Sequence, residues 1–347
     1  MEEQEQNCEC EAPPGHVRAG VTYNLKRNAV TEPQDAEAEF DDYNTILAIK
    51  NALEESGCST ALYPADELLP ERLARDRPDI IFNIAEGMNG RGREAQVPAI
   101  LSYLSIPFTG SDETAMCIAM DKSLTKSLLS AHRVSTPKFK IIESANRVSL
   151  RGMDFPVIIK PNAEGSGKGI SSHSVARDAK TLKRFLAEAL LVYKQDMLVE
   201  EYIPGREFTV GILGNGPGAR VFLPMEIIFK DKEHPIYSYE VKQRFREYVD
   251  YKCPPDISSE KQAEIMGLAA KIFKILKCQD CARIDFRMDS DGRFYFIEIN
   301  PLPGLAPGYS DYPMLAEFCG VGYNDMIRGI MNSALERYGL PLVRQRR

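Results

Sequence analysis

Short apolar and polar runs alternate along this chain, and their period changes wherever turn residues intervene. Residues 17–24 (VRAGVTYN) and 79–84 (DIIFNI, bounded by Pro78) have the apolar, β-rich character of short strands. Between them Ile46, Ile49 and Leu53 recur at helical spacing; Asp41 or Asp42 can cap that helix, and Gly57 follows its end near Ser56. The polar stretch 26–40, which contains Pro33, predicts a loop. Strands alternating with helices at this loop spacing predict a small parallel α/β domain over 17–120.

Farther along, Met116, Met120 and Leu124 fall on one side of a long amphipathic helix predicted over 112–132. Strands are predicted at 138–142, 155–161 (FPVIIKP), 170–175, 197–203 and 207–213, with a helix over 178–193. Together they make a small α+β unit over 121–210. In the last segment, 211–340, strands at 221–230, 282–289 and 293–300 flank a helix over 259–277. That helix opens on a Ser259/Gln262 capping box, and Ile265, Leu268, Ile272, Phe273 and Leu276 form its apolar stripe. Residues 1–16, charged and carrying Pro13-Pro14-Gly15, predict a disordered lead.

Composition narrows the classes. The 347 residues carry a net charge of −7, so nothing draws a polyphosphate backbone, and a general nucleic-acid binder is excluded. No apolar run approaches the roughly 18 residues a membrane span needs. The acidic start MEEQEQNCECEAPPG is not a secretory signal, so the expectation is a cytoplasmic protein. Four scattered His exclude a histidine-rich metal site. Eight Cys in a chain this long do not make a disulfide framework. Cys278 and Cys281 have CxxC spacing but no second pair to complete a zinc site, and read as buried small hydrophobes.

The strongest chemical signal is 281–301, CARIDFRMDSDGRFYFIEINP. Two alternating runs flank Asp291-Gly292, a favoured two-residue hairpin turn. With that turn Asp285 faces Glu298 and Arg283 faces Asn300, all on one face, while Ile284, Phe286, Ile297 and Ile299 take the other. Opposed carboxylates about 5 Å apart repel. Mg²⁺ would remove the conflict, because Asp, Glu and an Asn carbonyl are hard oxygen ligands; the arrangement also suits a two-metal site. Arg283 beside it can bind phosphate oxygens or a developing oxyanion. A solvated edge hairpin is the plainer alternative. A second signal is the glycine loop in PNAEGSGKGI, where backbone N–H groups can approach phosphates. It fails the Walker A pattern, because Asn162 and Gly169 stand where Gly and Ser or Thr are required, and it fits a hairpin lid better.

Taken in order, PVIIKPNAEGSGKGI, LVEEYIPGREFTVGIL and ARIDFRMDSDGRFYFIEINPLPGL resemble the ATP-grasp superfamily, and within it the D-alanine–D-alanine ligase family, over about residues 17–330. The resemblance implies an ATP-grasp fold: an N-terminal parallel α/β domain, then two α+β subdomains clamping ATP. It implies that Lys122, Lys160 and Lys242 reach the phosphates and that the loop around Ser166 covers them. Glu200 and Ile203 would hold adenine and Glu207 the ribose. Asp285, Glu298 and Asn300 would hold Mg²⁺, two ions, with Mn²⁺ a substitute. Arg283 and the backbone N–H of Gly304 would stabilise the oxyanion. The implied chemistry is amide formation between amino-acid-like small molecules through an acyl phosphate. A homodimer is implied by the resemblance alone.

The departures cluster at the amino-acid end. The family's glutamate after the first strand is missing from YNLKRN, and Glu86 stands where His is usual, followed by Arg91 and Arg93. Gln243 replaces a tyrosine, Pro301 and Leu302 replace a threonine and a serine, and GLAPGYSDYP is one residue longer than the corresponding family segment. Glu86, Arg91, Arg93 and Ser310 are therefore candidate substrate contacts. The expectation is a ligase with an altered substrate pocket. A true D-alanine–D-alanine ligase, a ligase acting on a protein terminus and a non-catalytic ATP-binding scaffold are the alternatives.

Overall fold

The computed structural model describes residues 16–27, 35, 37–146, 148–171, 174–230 and 236–345. The expected disordered lead, like Cys8 and Cys10, falls outside the described residues apart from His16. The chain opens with β1 (Arg18–Tyr23), α1 (Tyr43–Glu55), β2 (Ser59–Pro64), α2 (Leu69–Asp76), β3 (Ile80–Asn83) and α3 (Gln96–Tyr103). The three strands form a parallel sheet in the order β2-β1-β3. Asp42 occupies the cap position of α1 without a side-chain cap bond, and Ile46, Ile49 and Leu53 are buried as their spacing requires.

The long helix expected over 112–132 is two helices, α4 (Glu113–Met120) and α5 (Lys122–Ala131). Asp121 between them is extended, with ψ 100°, and its side chain accepts from Ser123 N and Leu124 N, so it caps the second helix. The break resets the helical phase. Met116 and Met120 stay buried, but Leu124 turns out to 48% exposure, and Lys122, Thr125, Lys126 and Leu129 become the buried face.

The second sheet is antiparallel, in the order β4-β7-β5-β6, built from β4 (Phe139–Ile142), β5 (Val157–Pro161), β6 (Val175–Ala176) and β7 (Met197–Glu201). Helix α6 (Ala179–Tyr193), capped by Asp178, buries Leu182 and Leu186 against Val157, Ile159 and Val199. The strand expected at 170–175 is reduced to the two residues of β6, because the glycine loop continues through Ile170 in turns.

The third sheet contains β8 (Arg206–Leu213), β9 (Arg220–Val221), β10 (Met225–Phe229), β11 (Val249–Lys252), β12 (Cys281–Met288) and β13 (Phe294–Asn300). Its order is β11-β10-β8-β12-β13, with β9 beside β8. The single strand expected at 221–230 is split, with Pro224 between the two pieces. Short helices α7 (Tyr239–Gln243) and α8 (Phe245–Tyr248) precede β11, and α9 (Ser259–Ile275) precedes β12. The cap of α9 is Ser258, one residue earlier than expected. Its Ile265 and Ile272 pack on Phe208, Val210, Ile284 and Phe286, each such burial contributing about 1.5–3 kcal/mol. Finally, α10 (Asp311–Phe318) leads into α11 (Tyr323–Arg337), whose Met326 and Ile330 share a core with Ile46 and Leu53 of α1. The last helix thus ties the third sheet to the first domain. Among the described residues no helix is long and apolar enough to cross a membrane.

Candidate active site

Between the second and third sheets and the first domain lies a cleft with two cavities, of about 700 and about 80 Å³. Both are bordered by Lys242 and Glu298. The smaller is walled by Lys160, Glu200, Ile203, Glu207, Asp285 and Ile297. The larger takes in Lys122, Ser166, Arg283, Asn300, Gly304 and Ser310, with Glu86 at its far wall.

The β12–β13 hairpin sets the floor. Asp285 lies opposite Glu298, and Arg283 opposite Asn300, as the alternation predicts. The route to that register differs. The turn is not two residues at Asp291-Gly292. Residues 289–293 lie beyond the ladder, Gly292 N donates to Asp289 O, and Gly292 takes φ +76°. A bulge then shifts the pairing between Asp285 and Phe286, so the longer loop and the extra residue cancel. The bulge also moves Ile297 off the expected apolar face. It lines the small cavity beside Glu298, and Phe296 takes the core position at 1% exposure.

Charges on this floor are heavily compensated. Arg283 donates to both Asp285 oxygens, Nε–Oδ1 at 3.0 Å and Nη2–Oδ2 at 2.9 Å, and lies 3.6 Å from Asp311. Thr209 Oγ1 donates to Asp285 Oδ1 at 2.7 Å. Lys122 Nζ is 3.5 Å from Glu298. Burial would raise the Glu298 carboxyl, but the ammoniums of Lys122, Lys242 and Lys160 outweigh it and hold the group at about 2. Asp285, Glu298 and Asn300 share one sheet face and carry the hard oxygen donors that suit Mg²⁺, with Arg283 on both Asp285 oxygens and Asn300 Nδ2 3.5 Å from Asp285 Oδ2 in this arrangement. Asp311 accepts from Tyr237 at 2.8 Å and Tyr251 at 3.2 Å, an arrangement that fixes Arg283 from behind. Sequence reasoning missed Asp311, although it lies in the quoted GLAPGYSDYP.

The lysines occupy the opposite wall. Lys160, at the end of β5, and Lys126, on α5, flank Glu200 at 2.6 and 2.9 Å. All three are buried. Burial pulls the Lys126 ammonium down to about 8 against the opposing pull of Glu200. For Glu200, burial is outweighed by the two ammoniums, and its carboxyl stays low. Lys126 was also missed; its spacing of four from Lys122 is the signal that could have found it. Glu207 lies 3.5 Å from Arg287, and burial raises its carboxyl.

The glycine loop is held from the first domain. The family-type glutamate expected after β1 is absent there, but the 35–42 turn brings carboxylates in from farther along the chain. Glu39 accepts from Gly165 N at 2.7 Å, where a Cβ would meet the same oxygen at 2.7 Å, so a side chain at 165 would push the Glu39 carboxylate off the loop. Asp35 accepts from Gly169 N at 2.9 Å and from the Tyr193 hydroxyl at 3.0 Å. Ser166, at φ +50°, faces the large cavity from the loop tip.

Arg93 does not line either cavity. It is buried and donates to Glu39 at 2.6 Å, Glu164 at 3.0 Å and the Ala163 carbonyl at 3.0 Å, so its guanidinium is a tie between domains and not a free substrate contact. Arg91 is likewise outside; its side chain is 75% exposed and 3.7 Å from Asp121. Gly304 and Ser310 face each other across the cavity rim. A side chain at 304 would meet Ser310 Oγ at 2.9 Å. Cys278 and Cys281 are buried free thiols, pushed up by burial, Cys278 to about 12.

Residues 128–332 match the family described as D-ala D-ala ligase C-terminus. A D-alanine–D-alanine ligase from Saccharophagus degradans is 34% identical over 263 residues, covering 74% of this chain and 78% of that protein. The uncharacterized protein y4sG from Sinorhizobium fredii is 33% identical over 296 residues, covering 83% and 86%. The crystal structure of a D-alanine–D-alanine ligase from Bacillus anthracis complexed with ATP matches with a TM-score of 0.72 at 20% identity, over 93% of this chain and 99% of that one.

Proposed function

The chain belongs to the D-alanine–D-alanine ligase family, and from that premise we propose that it is an ATP-dependent carbon–nitrogen ligase acting on amino-acid-like small molecules. It joins the carboxylate of one substrate to the amine of another and releases ADP and phosphate. The observation that carries this reading is the direct opposition of Asp285 and Glu298 in one cleft with Lys122, Lys160 and Lys242. An exposed hairpin has no use for that arrangement. Segments 121–210 and 211–340 would clamp the nucleotide, and 17–120 would close over the amino-acid substrates.

A free carboxylate is a poor acyl donor. Transfer of the γ-phosphoryl group to it makes an acyl phosphate, and an amine then displaces phosphate. Lys122, Lys160 and Lys242 neutralise the phosphate oxygens during transfer. Asp285, Glu298 and Asn300 would hold Mg²⁺, which supplies further neutralisation there. Arg283 and Gly304 line the large cavity, where the guanidinium and the Gly304 N–H would stabilise the tetrahedral oxyanion. The glycine loop, tied down by Glu39 and Asp35, keeps water from the acyl phosphate. Ile203 and Ile297 give the small cavity an apolar wall for the adenine, with Glu200 beside them and Glu207 placed for the ribose. Use of ATP puts the reaction in the cytoplasm.

The test is Mg²⁺-dependent phosphate release from ATP across D- and L-amino acids, singly and in pairs, with Asp285→Asn/Glu298→Gln as control. Release accompanied by an amide product and lost in the control supports a ligase. Release with D-alanine alone, yielding the dipeptide, assigns the ordinary cell-wall reaction. ATP binding without turnover on any substrate refutes the ligase reading in favour of a scaffold.

A further inference from the structure

The far wall of the large cavity carries carboxylates that the reaction above does not use. Asp41 and Asp42 lie just before α1, Glu86 follows β3, and Glu94 sits in the turn at Arg93–Ala95; all four line the cavity. Carboxylate oxygens of Glu39, Glu86 and Glu94 lie within 4.8 Å of one another. Glu39 is satisfied by Arg93, Lys168 and Gly165 N. Among the described residues Glu86, Glu94 and Asp41 have no hydrogen bond or ion pair to their carboxylates. Five cations line the cavity: Arg283 is committed to Asp285, Lys122 to Glu298 and Arg244 to Glu247, and neither Lys26 nor Lys242 makes an ion pair with Glu86 or Glu94.

Enclosed carboxylates without partners are costly, and protein interiors normally pair them. Here burial, reinforced by the charge of Glu39 and, for Glu86, of Glu94, outweighs the Arg93 guanidinium and pushes Glu94 up to about 8 and Glu86 well above its usual range. Burial and Asp42 take Asp41 to about 7. Glu86 and Glu94 thus line, part-buried and unpartnered, the same cavity as Arg283 and Gly304, which the ligase reading assigns to the reacting carboxylate. Near neutral pH these raised carboxyls keep protons in place of a counter-charge, and an ammonium on the ligand would supply the charge that lets them ionise. A single α-ammonium answers one carboxylate and leaves the others uncompensated.

We propose that the substrate filling this cavity carries a second amine, a diamino acid or an amine-bearing derivative of one, with that ammonium seated on Glu86 and Glu94. The proposal rests on the ligase reading and narrows its substrate class. Glu86 and Glu94 are then specificity-determining residues. They touch the part of the substrate remote from the reacting carboxylate and select for charge there.

Calorimetric titration of the full chain, with Mg²⁺ and a non-hydrolysable ATP analogue, would compare alanine with 2,3-diaminopropionate, ornithine and lysine in both enantiomers. Phosphate release with ATP would be followed on the same set. The expected result is about tenfold or greater preference for one diamino acid over alanine, the order expected for one hydrogen bond to a charged group. Glu94→Gln and Glu86→Gln should collapse that ratio toward one, and Glu94→Asp should keep part of it; circular dichroism checks folding, and a ratio is insensitive to a uniform loss of active protein. Equal affinity for alanine, or a ratio unchanged in both Gln variants, overturns the proposal while leaving a ligase that turns over alanine intact. Glu94-dependent diamino-acid binding without phosphate release keeps the proposal and refutes the ligase. Binding of no amino acid refutes both. Stoichiometric Mn²⁺ binding lost only in the Gln variants makes the cluster a metal centre and overturns the proposal.

Discussion

Replacing Asp121 by alanine should damage both stability and nucleotide binding, because this one side chain breaks the helix that carries the lysines. Its Oδ1 accepts from Ser123 N at 3.1 Å, Ser123 Oγ at 2.7 Å, Leu124 N at 3.0 Å and Asn162 Nδ2 at 2.8 Å. Loss of the cap costs about 0.5–2 kcal/mol. Asn162 is buried, and stranding its amide adds about 1–3 kcal/mol. The sum is about 1.5–5 kcal/mol. Asp121→Asn keeps an acceptor of similar reach and should lose about 1 kcal/mol or less. The chain has no Trp and 15 Tyr, so circular dichroism at 222 nm is the suitable probe of urea unfolding. A fall in midpoint at constant slope reads the loss. Without the break Lys122 and Lys126 leave their places by Glu298 and Glu200, so the KM for ATP should rise about tenfold or more in the alanine variant. An alanine variant within about 0.5 kcal/mol of wild type, or equal losses in both variants, would refute this account of the helix break.

Arg283→Ala should lower kcat by about 10²–10³ at nearly constant KM for ATP, as expected for a group acting on the transition state; an equal effect on KM alone would reassign it to binding. Arg93→Ala should cost about 3 kcal/mol, because Glu39 and Glu164 lose a buried guanidinium, and steady-state kinetics of the surviving folded fraction should show an unchanged KM for the amino acid. Glu94 releases its proton near about 4.3 in the unfolded chain and at about 8 in the folded one. The folded state therefore binds more protons across that interval, and ligand-free stability should fall as pH rises through it. Melting temperatures of wild type and Glu94→Gln, taken from pH 5 to 8, should diverge in favour of the variant at the alkaline end; parallel curves would refute the assignment.

Periodicity alone was enough for the first domain's β1 and α1, for α9, and for the two strands of the acidic hairpin, because each is a local pattern whose burial follows from spacing. The opposition of Asp285 and Glu298 was legible for the same reason, although the predicted turn was wrong: side chains alternate along a strand, and a longer loop plus a bulge restored the same register. Ordered motifs carried the family and the residues that line the two cavities. What stayed hidden depended on partners distant in sequence. Asp121 reads as one more polar position in a helix until Asn162, 41 residues on, fixes its carboxylate. Lys126 reads as a solvated lysine until Glu200 closes on it from another sheet. Arg93 reads as a loop cation until Glu39 and Glu164 claim it, and Glu39 was lost in a polar stretch that only the fold carries back over the glycine loop. Sequence determined which segments could bury an apolar face and which chemistry-bearing residues the chain owns. Tertiary structure decided which charges meet, because electrostatic pairing is set by distance through space and not by distance along the chain.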